Sequence, residues 1–369
     1  MAVFQTYTAI GNKEDLSPVV TRIAVEETPF LSSIKKTKAT GVLHEWITET
    51  LDAPAFNAQV EGSDATFGVV TPRTRLSNYC QISRKTGLIS RTQEAVMKAG
   101  VASEYAHQLE KATKELARDM ERAHWQGAAA VGSAAVARTS RGVFNFVTTN
   151  RQSMSNITGA DVAGTCSAVS GAATITLAVG GGAGSADGDH YLITGGPGAG
   201  QYRVQTGAAA GDVITVTEAW DVALTAASTY LHMTVPIAMT EAVIGDGIQA
   251  AKDAGGNPST IYVSGKQKRV ISGFATSLRN VNDANKTLTA TIDMYDSDFG
   301  RLAVKYDRWV PAGTAAILDE KYFATAFLRP IIAEEIAPTG SARKFMIEGE
   351  FCLESTGETA SALVVGAAL

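Results

Sequence analysis

Five histidines and three cysteines, with a few acidic clusters, are the side chains of this 369-residue chain that suggest chemistry. His107 and His124 share a predicted helix but lie seventeen positions apart, too far to bind one ion. No H-E-x-x-H or G-x-S-x-G motif is present. The segment DGDH (187–190) carries metal-ligating side chains, but Asp-Gly is more typical of a hairpin turn. The sequence therefore predicts no catalytic residue, no metal site and no cofactor.

Two further patterns imitate known sites. The segment GGPGAGQY (195–202) is glycine-rich, but it lacks the Lys-Ser/Thr end of a phosphate-binding loop and a following helix, so we predict a turn. Glu348, Glu350 and Glu354 could mimic paired catalytic carboxylates. The alternating positions of the same segment are apolar, which predicts an antiparallel strand with these glutamates on its solvated face. The inward-facing positions are Phe345, Ile347, Phe351 and Leu353.

The cysteines point to a reducing compartment. Cys80, Cys166 and Cys352 are an odd number without CxxC spacing, which argues against a disulfide framework and a zinc site. We interpret them as free thiols of a protein made in a cytoplasm. The N-terminus lacks the pattern of a secretory signal, and no run of eighteen apolar residues is present, so no membrane partner is expected.

Charge is distributed unevenly, although the net charge is only -5. Residues 155–235 contain six acids and one base, whereas residues 73–151 contain thirteen bases and six acids. Such asymmetry suggests that the two segments face different surroundings. The bases of the second segment have two interpretations. Those on the helix either lie in water, paired with Glu110, Glu115, Asp119 and Glu121, or face packaged DNA.

Residues 40–90 predict a long β-hairpin. The segment GVLHEWITETL alternates Leu43, Glu45 and Ile47 with His44 and Trp46, which is period 2. The returning strand is TRLSNYCQISRKTGLIS (74–90), and the polar, glycine-bearing stretch between the strands is the predicted tip. Neither face is solidly apolar, so the hairpin has little core of its own and is expected to be held by a neighbouring subunit.

One long helix is predicted over residues 93–126, with Thr92 as its N-cap and Gly127 at its end. At about 1.5 Å per residue it would span roughly 50 Å, with Gly100 as a possible bend. Its apolar stripe comprises Ala102, Tyr105, Leu109, Ala112, Leu116, Met120 and Ala123. GVFNFVTTN (142–150) is predicted to be a strand.

The remaining chain divides into an insertion and an α/β region. Residues 155–235 are rich in Gly, Ala and Thr and predict a small all-β insertion domain. After it come a helix capped by Thr240 and ending before Gly255, a buried strand STIYVS, and a helix GKQKRVISGF. Residues 277–291 read as a polar loop, and three strand-like segments follow it.

The order of these elements resembles the Hong Kong 97-type capsid fold of tailed phages. GNPSTIYVSGKQKRVISGF (256–274), residues 293–330 and TRLSNYCQISRKTGLIS are similar to a family of phage major head proteins. The resemblance covers most of residues 20–150 and 236–365, and the insertion departs from it. It implies an α+β fold with segments that we predict as follows: N-terminal arm 1–39, extended hairpin loop 40–92, peripheral domain with spine helix 93–154, insertion 155–235, axial domain 236–300 and return strands 301–369.

The resemblance also implies a function. It predicts a non-enzymatic major capsid protein that self-assembles into hexamers and pentamers of an icosahedral shell around double-stranded DNA. Portal, scaffolding or decoration proteins are candidate partners, and the virion, assembled in the bacterial cytoplasm, is the expected location. DNA contacts would be non-specific. The predicted inter-subunit contacts are the hairpin residues Arg73, Arg75, Arg84, Lys85, Arg91, Trp46 and Tyr79.

Other classes remain open at this point. A nanocompartment (encapsulin-like) shell protein shares the fold but encloses an enzyme cargo. An adhesin or tail component is suggested by the Gly/Ala/Thr-rich insertion, but the long helix does not fit an all-β fibre. The acidic insertion is expected on the outside of the shell, where it would stabilise neighbours, dock a decoration protein or touch the host surface.

Overall fold

A computed structural model describes residues 28–64, 67–96, 101–154, 161–167, 171–234, 237–274 and 294–368. Its Cα positions divide into two compact units. The smaller unit contains Arg84–Arg118 and Ile331–Glu348. The larger unit contains Glu27–Ser83, Asp119–Pro330 and Gly349–Leu369. The six predicted segment boundaries stay a prediction.

The described helices, in chain order, are α1 (Pro29–Ser33), α2 (Arg91–Ala95), α3 (Glu104–Gln126), α4 (Val143–Phe146), α5 (Glu241–Asp253) and α6 (Gly265–Phe274). The first eleven strands are β1 (Lys35–Lys38), β2 (Leu43–Thr48), β3 (Thr74–Tyr79), β4 (Gln81–Ser90), β5 (Arg151–Ser153), β6 (Asp161–Thr165), β7 (Thr174–Thr176), β8 (His190–Gly195), β9 (Tyr202–Val204), β10 (Val213–Thr215) and β11 (Thr229–Met233). The others are β12 (Thr260–Val263), β13 (Met294–Ser297), β14 (Gly300–Tyr306), β15 (Ala315–Leu318), β16 (Phe323–Ile336), β17 (Ala342–Ser355) and β18 (Ala362–Val365).

A six-stranded mixed sheet, in the order β13-β14-β12-β15-β18-β5, forms the centre of the larger unit. Strand β12 runs parallel to β14 and antiparallel to β15. Strands β12, β15 and β18 are buried along their whole length, as expected for short apolar runs covered on both faces. Ile261 and Val263 face one hydrophobic cluster with α5 and α6, while Tyr262 faces another with Phe30 and Trp125.

The two helices of this region have the predicted positions, but the Thr240 side chain, predicted to cap α5, makes no capping hydrogen bond. Helix α5 follows Thr240 and buries Val243, Ile244, Ile248 and Ala251. It ends before Gly255, whose φ of 84° suits a glycine at the helix end. Helix α6 has the predicted extent, and the predicted loop 277–291 lies outside the described residues.

The predicted single helix over 93–126 is wrong. The chain forms a five-residue helix α2 and, after an extended Val96, the 23-residue helix α3. The Ser90 hydroxyl, not Thr92, caps α2 by accepting from the Gln93 amide at 3.1 Å. Helix α3 ends at Gln126 before Gly127 as predicted, and its length is about 34 Å at 1.5 Å per residue. Gly100 lies outside the described residues.

Helix α3 begins at Glu104 because two side chains satisfy its first amides. The Ser103 hydroxyl accepts from the Ala106 amide, and the Glu94 carboxylate accepts from the Glu104 and Tyr105 amides at 3.0 and 3.3 Å. Glu94 belongs to α2, ten positions upstream, so the usual local spacing of a helix cap does not reveal it.

Within the smaller unit, α3 packs its apolar stripe on β4 and β17. Ala112 and Leu116 join Ile89, Phe345 and Ile347 in one buried cluster. The Tyr105 ring meets the Phe345 ring edge-on at 5.6 Å. The prediction of Tyr105, Leu109, Ala112 and Leu116 as core-facing residues is therefore confirmed. Ala102, predicted on the same stripe, is exposed.

The insertion consists of strands in its described part. Its sheet has the order β6-β11-β8-β9, and β7 pairs with β10. Alternation along β8 places Tyr191 and Ile193 in a cluster of the insertion's own residues. Leu192 instead joins the core cluster that contains Trp125 and Phe144. The insertion therefore shares a core with the rest of the larger unit. This differs from the separate insertion domain that the sequence predicted.

Two segments differ from the predicted elements. The predicted strand 142–150 contains helix α4, which buries Val143, Phe144 and Phe146, and the strand begins only at Arg151. The sequence also suggests a break at Pro29, but Pro29 begins α1, since proline is well tolerated in a first helical turn. A short helix that the sequence suggests over residues 18–25 lies outside the described residues. No helix in the described part of the chain is long and apolar enough to cross a membrane.

Candidate assembly interface

The hairpin is the element that the sequence singled out for assembly. Strands β2 and β3 pair antiparallel from Leu43 opposite Tyr79 to Thr48 opposite Thr74. The predicted ribbon is therefore confirmed over residues 43–79. It does not continue to residue 90, because β4 joins a different sheet, of order β1-β16-β17-β4.

The root of the hairpin is anchored to its own chain, contrary to our expectation that its apolar side needs a neighbour. Trp46 is 8 % exposed and lies in the core cluster with Phe146, at a ring distance of 6.1 Å. Its indole nitrogen donates a hydrogen bond of 2.8 Å to the carbonyl of Ser355. Trp46 therefore offers little surface to a second subunit, and we remove it from the proposed contact set.

Asn78 is the second anchor of the root, and the sequence analysis did not identify it. Its side-chain nitrogen donates to the Leu353 carbonyl at 2.6 Å and to the Ser140 hydroxyl at 3.0 Å. Its side-chain oxygen accepts from the Arg141 amide at 2.8 Å. Because it is 1 % exposed, these partners replace water and fix β3 on the core.

The tip of the hairpin, defined as residues 51–64 and 67–72, is exposed throughout. Phe56 and Phe67 have relative exposures of 108 % and 97 %. Four more large apolar residues are exposed with them, namely Leu51, Val60, Val69 and Val70. Its charged residues are Asp52, Glu61 and Asp64, so the tip is both apolar and acidic. An exposed apolar patch of this kind marks an interaction surface.

The predicted contact bases fall into two groups. Arg73 and Arg75 pair with Glu49 and Glu45 of their own hairpin at 3.2 and 3.5 Å. Both pairs are largely exposed and contribute little to stability. In the smaller unit, Arg84 pairs with Glu348 at 3.2 Å. Of the other three predicted contacts, Lys85 and Tyr79 are partly buried and Arg91 is exposed.

A groove lies beside these residues in the smaller unit. It has a volume of about 690 Å³ and is lined by Lys85 and Leu88 of β4, Gln108 and Lys111 of α3, and Phe345 of β17. Gly87 forms part of its wall, and a Cβ atom added there would lie 2.3 Å from the Phe345 ring. Lys111 and Lys114 on α3 pair with Glu115 and Glu110, so the predicted pairing is confirmed for these two helix bases.

The prediction that Glu348, Glu350 and Glu354 are solvated is wrong for Glu350. It is 5 % exposed and pairs with Arg138 and, at 3.1 Å, with Arg329. Glu348 and Glu354 are partly buried and also have basic partners, at Arg84 and His44. Strand β17 is buried on both faces from Gly349 to Leu353, so the Glu350 carboxylate is paired inside the sheet instead of facing water.

Glu121, expected among the exposed charges of the helix, is fully buried. Its carboxylate accepts from the Phe30 and Leu31 amides of α1, both at 2.8 Å. Burial and, to a smaller extent, the neighbouring Asp307 raise the pKa of Glu121 to about 9, although the two amides oppose the shift. Burial also lowers the pKa of His124, on the same helix, to about 3.

The DGDH segment forms a turn. Gly188 has a φ of +89°, and Asp187 accepts from the Gly207 amide at 2.7 Å. Asp189 and His232 are both buried, and the Asp189 Oδ2 and His232 Nε2 atoms are 2.9 Å apart. No group of three or more metal-ligating side chains comes together among the described residues. The glycine-rich segment 195–202 is likewise a series of turns with positive φ at Gly196, Gly198 and Gly200.

Comparison with known protein families identifies the family of the chain that carries this exposed hairpin. The family model described as SU10 major capsid protein matches residues 3–368. The chain belongs to this family of major capsid proteins. A curated relative, the major capsid protein of Escherichia phage Phieco32, is 33 % identical over 121 residues. That match covers 32 % of this chain and 34 % of the relative, or about a third of each.

Solved structures show that this SU10-family chain has the Hong Kong 97-type α+β capsid fold. A structure from Mycobacterium phage Ogopogo matches with a TM-score of 0.54 at 12 % identity, covering 98 % of this chain and 99 % of that one. The capsid structure of Cyanophage P-SCSP1u matches with a TM-score of 0.52 at 9 % identity, covering 97 % and 93 %. The capsid of a native GTA particle matches with a TM-score of 0.51 at 11 % identity, covering 98 % of each.

Proposed function

We propose that this major capsid protein self-assembles into hexamers and pentamers of a closed icosahedral shell that encloses double-stranded DNA. The observation that carries the proposal is the hairpin, whose root is fixed to its own chain while its apolar tip is exposed. Phe56 and Phe67 bury no surface in the subunit, so they gain burial only against another copy. Many such contacts, each weak, allow misplaced subunits to dissociate before a shell closes.

The receiving surface is proposed to include the bases predicted from the sequence. The tip carries Asp52, Glu61 and Asp64 and no base. Arg84 and Lys85 lie on β4, and their charge is opposite to that of the tip. Electrostatic complementarity of this kind steers association and selects the register of the contact. A head-to-tail contact between a tip and a different surface closes into rings, which a capsomer requires.

The role is proposed to be structural and not enzymatic. The protein would be made in the host cytoplasm and reside in the virion, with portal, scaffolding or decoration proteins as further partners. DNA contacts would be non-specific and would weaken steeply as salt concentration rises. The acidic insertion is proposed to lie on the outer surface, away from DNA phosphates, and density that places it inside the shell would contradict this.

The test removes the tip. Deleting residues 52–67 should leave a folded, soluble subunit that forms no closed shells in electron micrographs, and replacing Phe56 and Phe67 by serine should have the same effect. Val131→Ser with Val136→Ser is the matched control, because these two valines are also exposed but lie in another loop. Normal particles from the deletion would contradict the proposal. Nucleic acid in purified wild-type particles would distinguish a genome shell from a cargo compartment.

A further inference from the structure

The fold brings together two cysteines that no sequence motif links. Cys80 and Cys352 are 272 positions apart, yet their Sγ atoms lie 3.4 Å from each other in an S–H···S hydrogen bond. Both are fully buried, with Ala39 and Ala326 packed around them. Cys166, also buried, belongs to the separate cluster of the insertion. The chain therefore contains a pair of thiols within reach of a bond, and a third cysteine in a different cluster.

The pair lies where the hairpin leaves the core. Cys80 is the residue between β3 and β4, and its amide donates to the Val42 carbonyl at 2.8 Å. Its carbonyl accepts from Arg138 Nε at 3.1 Å. Cys352 lies within β17. A covalent bond between these two sulfurs would tie the root of the hairpin to the strand on which it rests.

We propose that Cys80 and Cys352 are an oxidation site that forms an intramolecular disulfide after the protein leaves the reducing cytoplasm. Dissolved dioxygen is the oxidant. Each thiol loses its proton and one electron, the sulfurs join, and dioxygen takes up two electrons and two protons to become hydrogen peroxide. The timing rests on the proposed function, since it assumes release of a virion from its host, but the chemistry of the pair does not.

The surroundings favour Cys80 as the sulfur that reacts first. The hydrogen bond between the two thiols and the charge of Arg138 lower the pKa of the Cys80 thiol, against the opposing effects of burial and Glu350. The pKa of Cys352 is raised by its hydrogen bond to Cys80 and by burial. The third thiol, Cys166, lies in the insertion cluster, where burial raises its pKa to about 11. The short distance between the two sulfurs and the lowered pKa of Cys80 thus both favour a bond between Cys80 and Cys352.

The test oxidises the folded, full-length protein with diamide, a small diazene. The Cys80 thiolate adds to the nitrogen–nitrogen double bond, Cys352 displaces the adduct, and the diazene leaves as a hydrazine. After unfolding in an alkylating agent, the number of reactive thiols should fall from three to one, with the loss of two hydrogens from the intact mass. Peptide mapping should join residue 80 to residue 352 within one chain.

Variants make the assignment unambiguous. Cys80→Ser or Cys352→Ser should abolish the intramolecular bond, whereas the matched control Cys166→Ser should form it as the wild type does. The oxidised wild type should melt at a higher temperature than the reduced form, and a reducing agent should reverse the shift. Three remaining thiols, or a bond to Cys166 or between chains, would overturn the proposal.

The outcome is separable from that of the proposed function. Particles that assemble but retain three free thiols in the folded, oxidised sample would refute the disulfide alone. A protein that forms the disulfide but never yields shells would refute the capsid assembly alone. Electron microscopy and thiol counting on the same preparation therefore report on the two proposals independently.

Discussion

The indole nitrogen of Trp46 donates a hydrogen bond of 2.8 Å to the carbonyl of Ser355, so the root of the hairpin is fastened to β17. Ile47, the next residue of β2, points to the other face and is 64 % exposed. Period-2 alternation thus divides the hairpin root into an anchoring face and a free face. The anchor holds the root in place, which leaves the apolar tip as the part available to another copy.

Replacing Trp46 by alanine should destabilise the subunit by about 3–5 kcal/mol, because it removes a buried aromatic side chain and leaves the Ser355 carbonyl without its donor. Chemical denaturation of the unassembled protein measures this loss. Ile47→Ala is the matched control and should change the free energy of unfolding by less than about 0.5 kcal/mol. Similar losses in the two variants would show that Trp46 is not an anchor.

The sequence predicted the elements whose signals are local. The alternation around Trp46 and the stripe through Leu116 each follow from the period of one element, and both were found. The Trp46 anchor, the Asn78 hydrogen bonds and the contact between Cys80 and Cys352 join residues more than 50 positions apart. Such pairs depend on topology, and a single sequence contains no local signal for them.

The charged residues show the same limit. Glu350 was predicted to be solvated from the alternation of its strand, and Glu121 was predicted as a water-exposed partner of the helix bases, but both are buried against partners from distant segments. The split between α2 and α3 was missed because its cap, Glu94, precedes the helix by ten positions. Propensity favoured one continuous helix, and a tertiary hydrogen bond decided otherwise.

Glu350→Gln should lower the free energy of unfolding by about 1–3 kcal/mol. The substitution removes the buried negative charge with which Arg138 and Arg329 pair. Arg138 and Arg329 remain partly exposed, so water compensates some of the loss. Glu45→Gln provides the comparison. It removes the exposed partner of Arg75, and a change of about 0–1 kcal/mol is expected. Urea denaturation at neutral pH measures both, and an equal loss would contradict a special role for Glu350.

Stability should fall as the pH rises from about 4.5 to about 9, in part because of Glu121. Its pKa is raised to about 9 in the folded protein by burial and by Asp307, so the folded state holds a proton that the unfolded chain releases near its ordinary value of 4.5. Protons bound preferentially by the folded state make unfolding easier as pH increases. The contribution of Glu121 is therefore complete below pH 4.5 and is lost as the pH passes about 9.

Melting temperatures between pH 5 and pH 9 test this. Glu121→Gln cannot titrate, so the difference in melting temperature between wild type and variant should change steadily across that interval. Glu115→Gln, on the same helix but partly exposed beside Lys111, should show the wild-type pH dependence. A wild-type curve that is parallel to the Glu121→Gln curve would exclude the titration of this carboxyl group.

Gly87 lies against the Phe345 ring, and this contact provides a test of packing in the smaller unit. A Cβ atom at Gly87 would lie 2.3 Å from two ring carbons, closer than any normal contact. Gly87→Ala should therefore destabilise by about 1–3 kcal/mol, since the ring must move out of the cluster that it forms with Ile89 and Leu116. Gly245→Ala is the control, because a Cβ atom there meets no neighbour and alanine stabilises a helix interior by about 0.5–1 kcal/mol. In thermal denaturation, Gly87→Ala should lower the melting temperature and Gly245→Ala should raise it. An unchanged melting temperature for Gly87→Ala would mean that β4 does not lie this close to Phe345.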